Sequence, residues 1–196
     1  MARRVRIPLI KDHKFKKIKG IPGPTKEEIR SIILYKSDVK PEDIVVDIGC
    51  GTGGISTEYS LRAKKVYSID IKEEAIEACR ENVSKLGNIN KCELILSDGV
   101  DAIKNNIESF DIVIVGGSNG RLNEILKNVD SKINPKGRII IPSILIDTEV
   151  EAINILKELN YTIDIVNINV SEGKILNRGI MMFAKNPIGI VSAVKN

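Results

Sequence analysis

A glycine-rich loop directly after a short apolar run is the clearest place for chemistry in this sequence. Residues 44–54 read IVVDIGCGTGG, with four glycines within six positions. Such a loop lets the backbone approach a bound cofactor, because glycine has no Cβ and tolerates a positive φ. Gly49, Gly51 and Gly54 match the spacing of a dinucleotide site. Gly49, Gly51 and Gly53 match that of an S-adenosylmethionine (SAM) site, so the glycines alone leave both cofactors open.

Two acids at the ends of later apolar runs could hold the adenosine that both cofactors contain. Asp70 ends the run KVYSID, nineteen positions after Gly51, where a carboxylate can accept hydrogen bonds from both ribose hydroxyls. Asp98 ends the run ELILSD and precedes Gly99, so its carboxylate could accept from an adenine amino group while Gly99 lets the backbone approach the ring. A plain turn or helix cap is the alternative interpretation of Asp98 and Gly99.

Asp47 helps to decide between the two candidate cofactors. It lies two residues before Gly49 in an otherwise apolar run, where a buried carboxylate is costly unless it has a partner. Backbone amides of the glycine loop, or the ammonium group of SAM through a water, would supply that partner, whereas a pyrophosphate would be repelled. Together with Asp98 and two strand-like runs at the end of the chain, Asp47 favours SAM over a dinucleotide.

The elements that must position these residues alternate regularly along the chain. Strands are predicted at 44–48, 65–70, 93–98, 110–117 and from 138 onward, with helices between them and NPKG as a turn before the last. Two further strands, 161–170 and 178–185, are predicted to close the chain as an antiparallel pair. The sequence therefore predicts a single-domain α/β fold with a Rossmann-like, mostly parallel sheet.

The first twenty residues form a basic arm, with eight Lys or Arg against one Asp in a chain of net charge +4. Such an arm suits a polyanionic partner, either nucleic acid or a small molecule with many carboxylates, or else it is a solvated tail. Its one aromatic residue, Phe15, does not supply the series of stacking rings that single-stranded nucleic acid needs, which disfavours a nucleic-acid partner. His13, the only histidine, lies in this arm, where a surface position is expected. We therefore divide the chain into an arm at 1–20 and a domain at 21–196.

The composition is that of an ordinary globular protein, with 42% hydrophobic and 29% charged residues. No apolar run approaches the roughly 18 residues that a membrane span needs. Cys50, Cys79 and Cys92 lack metal-ligand spacing, so no metal site is predicted, and reduced thiols suit a cytoplasmic location. We interpret Cys50, inside the glycine loop, as a small residue that fits a tight turn rather than as a nucleophile.

Motifs along nearly the whole chain resemble those of a known family. VVDIGCGTGG, VYSID and LSDG resemble class I SAM-dependent methyltransferases. IPGPTKEEIR, IVGGSNGRLNEIL and LNRGIMMFAKNP resemble the CbiT family, the decarboxylating cobalt-precorrin-6B C(15)-methyltransferases of anaerobic cobalamin biosynthesis. The resemblance implies a class I methyltransferase fold, SAM as cofactor and a tetrapyrrole substrate that is methylated at carbon and loses carbon dioxide from an acetate side chain. It also implies a homo-oligomer, which is a tetramer in the family.

The same resemblance carries a cofactor site over to this sequence. Its predicted members are Thr25, Gly49, Cys50, Gly51, Thr52, Gly53, Asp70, Asp98 and Gly99. Thr25 would come from outside the sheet, so the PGPT segment (22–25) would fold over the cofactor as a lid. Thr25 could equally cap the helix that follows, with Glu28 at capping-box spacing.

The loop after the fourth strand, 116–121, is the predicted wall of the substrate site. Its backbone amides and the following helix N-terminus would form an anion-binding concavity. Gly117 and Ser118 are the predicted contacts there, and Arg121 could hold a carboxylate with two hydrogen bonds. Lys174 and Arg178 are second candidates for that task.

The catalytic residues stay unassigned, because no residue stands out as a general base. Three alternative functions stay open. An RNA or protein methyltransferase of the same fold is favoured by the basic arm. An NAD-dependent oxidoreductase is disfavoured by Asp47. A protein that binds SAM without turnover would retain the same cofactor loop.

Overall fold

A computed structural model describes residues 7–196 of the protein. In chain order the strands are β1 (Ile44–Ile48), β2 (Lys65–Asp70), β3 (Cys92–Leu96), β4 (Phe110–Val115), β5 (Ile133–Ser143), β6 (Thr162–Ile168), β7 (Ser171–Leu176), β8 (Gly179–Ala184) and β9 (Ile188–Val194). The helices are α1 (Glu27–Ser37), α2 (Gly54–Ser60), α3 (Glu73–Leu86), α4 (Gly99–Asn106), α5 (Leu122–Lys132) and α6 (Ile146–Glu158).

Seven strands form one sheet in the order β3-β2-β1-β4-β5-β9-β6. The pairs among β1 to β5 are parallel, and β9 runs antiparallel to both of its neighbours, β5 and β6. The strand order reverses between β1 and β4, so the connections leave a crevice at the carboxyl ends of these two strands. The predicted α/β fold with a mostly parallel sheet is confirmed.

The end of the chain differs from the predicted strand pair. The sequence predicts that 178–185 pairs with the strand at 161–170, but β8 pairs with β7 in a separate two-stranded hairpin. The strand that pairs with β6 is β9, which the sequence prediction missed. Five consecutive residues of β9 are buried, so its sequence lacks the alternation that marks a strand with one solvated face.

Several boundaries also differ from the sequence prediction, among them the end of the fourth strand, which lies at Val115 and not at 117. The third strand ends at Leu96, so Asp98 is the N-cap of α4 and not a strand end. Thr25 does not cap α1, since Lys26 occupies that position without a side-chain cap. The NPKG segment lies inside β5, where Lys136 has a positive φ of 63° and the pairing with β4 shifts register. The predicted turn is thus an irregularity within a strand.

Helices cover both faces of the sheet. This packing holds the strands, and therefore the strand ends that meet at the crevice, in place. Because strand side chains alternate, Val46 packs with α4, α5 and α6, while Val45 packs with α1 and α2 on the opposite face. A smaller cluster joins Cys50 of the glycine loop to Cys79 and Val83 of α3. Within residues 7–196 no helix combines the length and apolar character needed to cross a bilayer.

The described part of the basic arm, residues 7–20, packs against the helices of the domain. Phe15 is buried, and the Ile10 N–H donates to Glu58 Oε1 at 2.9 Å. His13 is exposed, as expected. The remainder of the predicted arm, 1–6, lies outside the described residues, and the division of the chain at residue 20 stays a prediction.

Candidate active site

Two adjoining cavities open at the carboxyl edge of the sheet. The first has a volume of about 360 Å³ and lies against the ends of β1 and β2. The second has a volume of about 650 Å³ and lies against the ends of β4 and β5 and the start of α6. Both volumes fall in the range of roughly 300–1,000 Å³ that small-molecule sites occupy. The residues that line both cavities, called the dividing wall here, are Pro24, Thr25, Gly116, Gly117, Ser118, Asn119 and Pro142.

The glycine loop forms the floor of the first cavity. The N–H groups of Gly49 and Cys50 both donate to the Ile69 carbonyl at 2.9 Å, which fastens the loop to β2. Gly49 has a φ of 74°, and a Cβ there would lie 2.9 Å from the Gly117 nitrogen. Only glycine therefore allows the loop and the dividing wall to approach this closely.

Asp70 stands at the end of β2 and lines the first cavity. Its Oδ2 accepts a hydrogen bond from the Gly51 N–H at 2.9 Å, and its Oδ1 accepts one from the Lys72 N–H at 3.0 Å. A carboxylate can accept about four hydrogen bonds, so each oxygen keeps capacity for a further donor. The arrangement suits a vicinal diol such as that of a ribose.

Asp98 both caps a helix and lines the first cavity, so its two interpretations are compatible. Its Oδ1 accepts from the Val100 N–H at 2.8 Å and from Arg121 Nη1 at 2.8 Å. No donor among the described residues reaches Oδ2 by hydrogen-bond geometry. This second oxygen suits an amino group held beside Gly99.

Asp47 finds its partner in Ser56 of α2 and not in amides of the glycine loop. The Ser56 hydroxyl donates to Asp47 Oδ2 at 2.6 Å, and the Ser68 hydroxyl donates to Ser56 Oγ at 2.8 Å. Burial raises the pKa of Asp47 to about 6. Because Asp47 also lines the first cavity, a positive charge bound there would stabilise its ionised form.

Seven of the nine predicted cofactor residues line the first cavity: Thr25, Gly49, Cys50, Gly51, Asp70, Asp98 and Gly99. Thr52 and Gly53 belong to the glycine loop but do not line this cavity. Thr52 is buried, and its hydroxyl has no hydrogen-bond partner among the described residues. A Cβ at Gly53 would lie 2.6 Å from Cys79 Sγ, so this glycine allows the loop to rest on α3.

The Cys50 thiol lines the first cavity but is not activated. Contact with Cys79, followed by burial, raises its pKa well above the usual range, so the thiol stays protonated. Among the residues that the structure describes, no three His, Cys, Asp or Glu side chains are grouped so that they could hold a metal ion.

Only two of the three predicted substrate-binding residues line a cavity. Gly117 and Ser118 belong to the dividing wall, whereas Arg121 is outside the lining of both cavities. Its guanidinium is paired with Asp98 at 2.8 Å and with Glu124 at 2.7 Å. Lys174 lies in β7 and Arg178 in the turn between β7 and β8, and neither lines a cavity.

The far side of the second cavity was missed by sequence reasoning. Its lining includes the following residues around the start of α6: Ser143, Ile144, Leu145, Thr148 and Glu151. The run SILI was interpreted as a continuing strand, although Ile144 and Leu145 are about two-thirds exposed. Lys26, also missed, is the one cation among the described residues that line this cavity.

Comparison with known proteins identifies the family. Residues 23–195 match the family model described as a precorrin methyltransferase domain. A Methanobrevibacter smithii protein named "probable cobalt-precorrin-6B C(15)-methyltransferase (decarboxylating)" is 53% identical over 187 residues, which cover 95% of this chain and 100% of that protein.

Two solved structures share the fold. The crystal structure of a precorrin-8W decarboxylase from Methanobacterium thermoautotrophicum has a TM-score of 0.89 and 38% identity, covering 94% of this chain and 98% of that one. The crystal structure of a precorrin-6Y C5,15-methyltransferase from Geobacter metallireducens has a TM-score of 0.87 and 26% identity, covering 96% of this chain and 100% of that one. On these matches, the chain belongs to the precorrin methyltransferase family.

Proposed function

We propose that this protein transfers a methyl group from SAM to C-15 of cobalt-precorrin-6B and removes carbon dioxide from one of its acetate side chains, in anaerobic cobalamin biosynthesis. The names of the relatives support the substrate. The structural observation that carries the proposal is the pair of adjoining cavities with a shared dividing wall, since a methyl group must cross directly from one bound molecule to another.

The donor set of the first cavity fits SAM better than a dinucleotide. Asp70 offers acceptors for a ribose, Asp98 offers Oδ2 for an adenine amino group, and Asp47 adds a carboxyl group to the same lining. Three acids favour the cationic sulfonium and ammonium groups and would repel a pyrophosphate. When bound, SAM supplies a methyl group on a positively charged sulfur, already activated for attack by a carbon nucleophile.

The protein contributes to methyl transfer by positioning the two reactants. Correct positioning can supply much of the rate enhancement of such a reaction. Thr25, Gly117 and Ser118 line both cavities, so we propose that they hold the nucleophilic carbon in line with the sulfonium. A Cβ at Gly117 would meet nothing within 4 Å, which leaves room for the edge of a flat ring. No general base is required, because the conjugated ring system is itself the nucleophile.

Decarboxylation also uses the ring. The bond between the acetate CH₂ and its carboxylate breaks, the electron pair enters the conjugated system, and the remaining carbon takes up a proton. A desolvated carboxylate loses carbon dioxide more readily, and the second cavity offers apolar side chains from Val115, Ile141 and Leu145 for that purpose.

The other substrate carboxylates need donors. We propose that Lys26 binds one, because its side chain is 44% exposed and pairs only loosely with Asp12, at 3.4 Å. Backbone amides of the loop 116–120 and the hydroxyl of Ser118 would bind others.

We further propose a homo-oligomer, a tetramer by resemblance to the family. The β7–β8 hairpin forms no pairing with the main sheet and exposes apolar side chains. Ile175 is 86% exposed, Ile180 73% and Met182 60%, which is unusual for an isolated subunit and typical of an interface.

A cytoplasmic location is proposed on the three free thiols, Cys50, Cys79 and Cys92. A nucleic-acid partner is not proposed. In the described part of the basic arm, Lys11 pairs with Glu27 and Lys16 with Glu81, both at 2.7 Å, so these cations already have acidic partners.

An anaerobic mass-spectrometric assay with purified protein, SAM and cobalt-precorrin-6B tests the proposal. A product that has gained a methyl group and lost carbon dioxide supports it. Binding of SAM with an unchanged tetrapyrrole would reject the substrate and retain the cofactor, and RNA would be the next substrate to test. A matched reaction without SAM controls for spontaneous decarboxylation.

A further inference from the structure

Arg30 of α1 is a fully buried cation outside both cavity linings. Its Nη1 donates to Asp12 Oδ1 at 2.7 Å and to the Thr25 carbonyl, and its Nη2 donates to the Ile10 carbonyl. Its Nε lies 3.4 Å from Glu58 Oε1, close enough for an ion pair although not aligned for a hydrogen bond. A buried ion pair often contributes little net stability, but removing one partner is costly because it leaves the other charge buried without compensation.

The groups around Arg30 come from three separate parts of the chain: the arm, the PGPT segment and α2. Ile10 and Asp12 belong to the arm, and Thr25 belongs to the dividing wall. Glu58 completes the cluster, because its Oε1 accepts from the Ile10 N–H at 2.9 Å. Arg30 therefore connects the arm directly to a residue that lines both cavities.

Asn82 of α3 makes a second connection between the arm and the cofactor cavity. Its Oδ1 accepts from the Lys16 N–H at 2.8 Å, and its Nδ2 donates to the Lys16 carbonyl at 3.1 Å and to the Thr52 carbonyl at 2.8 Å. The side chain is buried, so these bonds are shielded from water. One amide thus ties the arm to the glycine loop.

The PGPT segment rests on the glycine loop between these two connections. A Cβ at Gly54 would lie 2.8 Å from Pro24 Cβ, and one at Gly51 would lie 3.8 Å from the Pro22 carbonyl oxygen. The roof and the floor of the first cavity are therefore in contact. Arg30 holds the roof at Thr25, and Asn82 holds the floor at Thr52.

We propose that Arg30 and Asn82 are positioning residues for the cofactor cavity and that residues 7–16 form a strap that holds its roof and floor together. The inference rests on the proposed binding of SAM in that cavity. Neither side chain lines the cavity, so both act through the backbone of Thr25 and Thr52. The basic arm would thus stabilise the cofactor site, a role that its positive charge did not indicate.

The variants Asp12→Ala and Asn82→Ala each remove the side-chain hydrogen bonds at one of the two fastening points of the strap. Asp12 is partly exposed, so its replacement is milder than removal of the buried Arg30 and should leave the protein folded. Lys132→Met is the matched control, because Lys132 also donates to carbonyls, those of Ile103, Lys104 and Ile107, but at the opposite edge of the sheet.

We expect both strap variants to raise the Kd for SAM by about tenfold, the effect of losing roughly one hydrogen bond to a charged or buried group. The KM for SAM should rise with it while kcat changes less than about twofold, since the lost interaction is the same in the ground and transition states. Hydrogen exchange of the four backbone N–H groups within 21–26, those of Ile21, Gly23, Thr25 and Lys26, should quicken in the free protein. The control should lose stability and leave Kd, KM, kcat and the exchange rates at 21–26 unchanged.

Unchanged Kd and unchanged exchange in folded strap variants would overturn the inference, as would equal effects in Lys132→Met. A failure of the proposed function is distinguishable from these outcomes. If the wild-type protein did not bind SAM, the cofactor assignment would be wrong, and the exchange rates at 21–26 would still decide whether the strap holds the PGPT segment.

Discussion

Replacing Asp70 with alanine removes a carboxylate that serves both the glycine loop and the first cavity. Its Oδ2 accepts from the Gly51 N–H at 2.9 Å, and its Oδ1 accepts from the Lys72 N–H at 3.0 Å. In the proposed complex the same oxygens also accept from the two ribose hydroxyls of SAM. Asp70→Ala is therefore expected to affect folding and cofactor binding by different amounts.

The expected loss of binding free energy is the larger of the two. A hydrogen bond to a charged group contributes about 1.5–3 kcal/mol, so two ribose contacts at the lower limit give about 3 kcal/mol, or a roughly 100-fold rise in Kd. The loss in the free energy of unfolding should be only about 1 kcal/mol, because water can reach the partly exposed N–H groups that Asp70 leaves.

Calorimetric titration with SAM measures the first effect, and urea unfolding measures the second. Glu73→Ala is the control, since it removes the same charge from an exposed position three residues away and outside the cavity lining. We expect its Kd to stay within about twofold of the wild-type value, because water and salt screen an exposed charge. A folded Asp70→Ala variant with a nearly wild-type Kd would show that Asp70 only braces the glycine loop, and would refute the ribose assignment.

Three further predictions concern the floor, the roof and the hairpin. Burial raises the pKa of Asp47 from 3.8 to about 6, so its favourable contribution to stability is complete below about pH 4 and is lost as the pH rises through 6. Asp47→Asn should therefore raise the free energy of unfolding by up to about 3 kcal/mol near pH 8 and by much less near pH 4, and a difference that is independent of pH in urea titrations would contradict this. Gly54→Ala places a methyl group 2.8 Å from Pro24 Cβ and should reduce the free energy of unfolding by about 1–3 kcal/mol and weaken SAM binding; an unchanged Kd would mean that the PGPT segment does not close on the loop. Ile180→Lys, at a side chain that is 73% exposed, should lower the particle mass in analytical ultracentrifugation while the circular dichroism spectrum is retained, and an unchanged mass would exclude the hairpin as the interface.

The parts of the site that could be predicted are those whose chemistry is local in sequence. The glycine loop must follow a strand directly, and a doubly wound sheet must bring Asp70 to the same edge, so both were placed without knowledge of tertiary contacts. The bounds of β1 and β2 were predicted correctly for a related reason, since each is a short run with several β-branched or aromatic residues that ends at the crevice.

The parts that could not be predicted depend on contacts between distant segments. Arg121 is paired with Asp98, 23 residues earlier, and nothing in the local sequence indicates this. The partners of Arg30 were equally impossible to predict from the local sequence, because its acceptors lie up to 20 residues away in the arm. The strand β9 was missed because a strand buried on both faces has no periodic pattern that separates it from other apolar runs.

The two-cavity account is tested most directly by one anaerobic turnover of the wild-type protein with cobalt-precorrin-6B and SAM that carries an isotopic label on its methyl carbon. The account predicts that nuclear magnetic resonance will locate the labelled methyl group on C-15 and that one carbon dioxide will be released for each methyl group transferred. A tetrapyrrole that remains unlabelled while SAM is bound, or a label found on any other atom, would contradict the proposed arrangement of cofactor and substrate across the dividing wall.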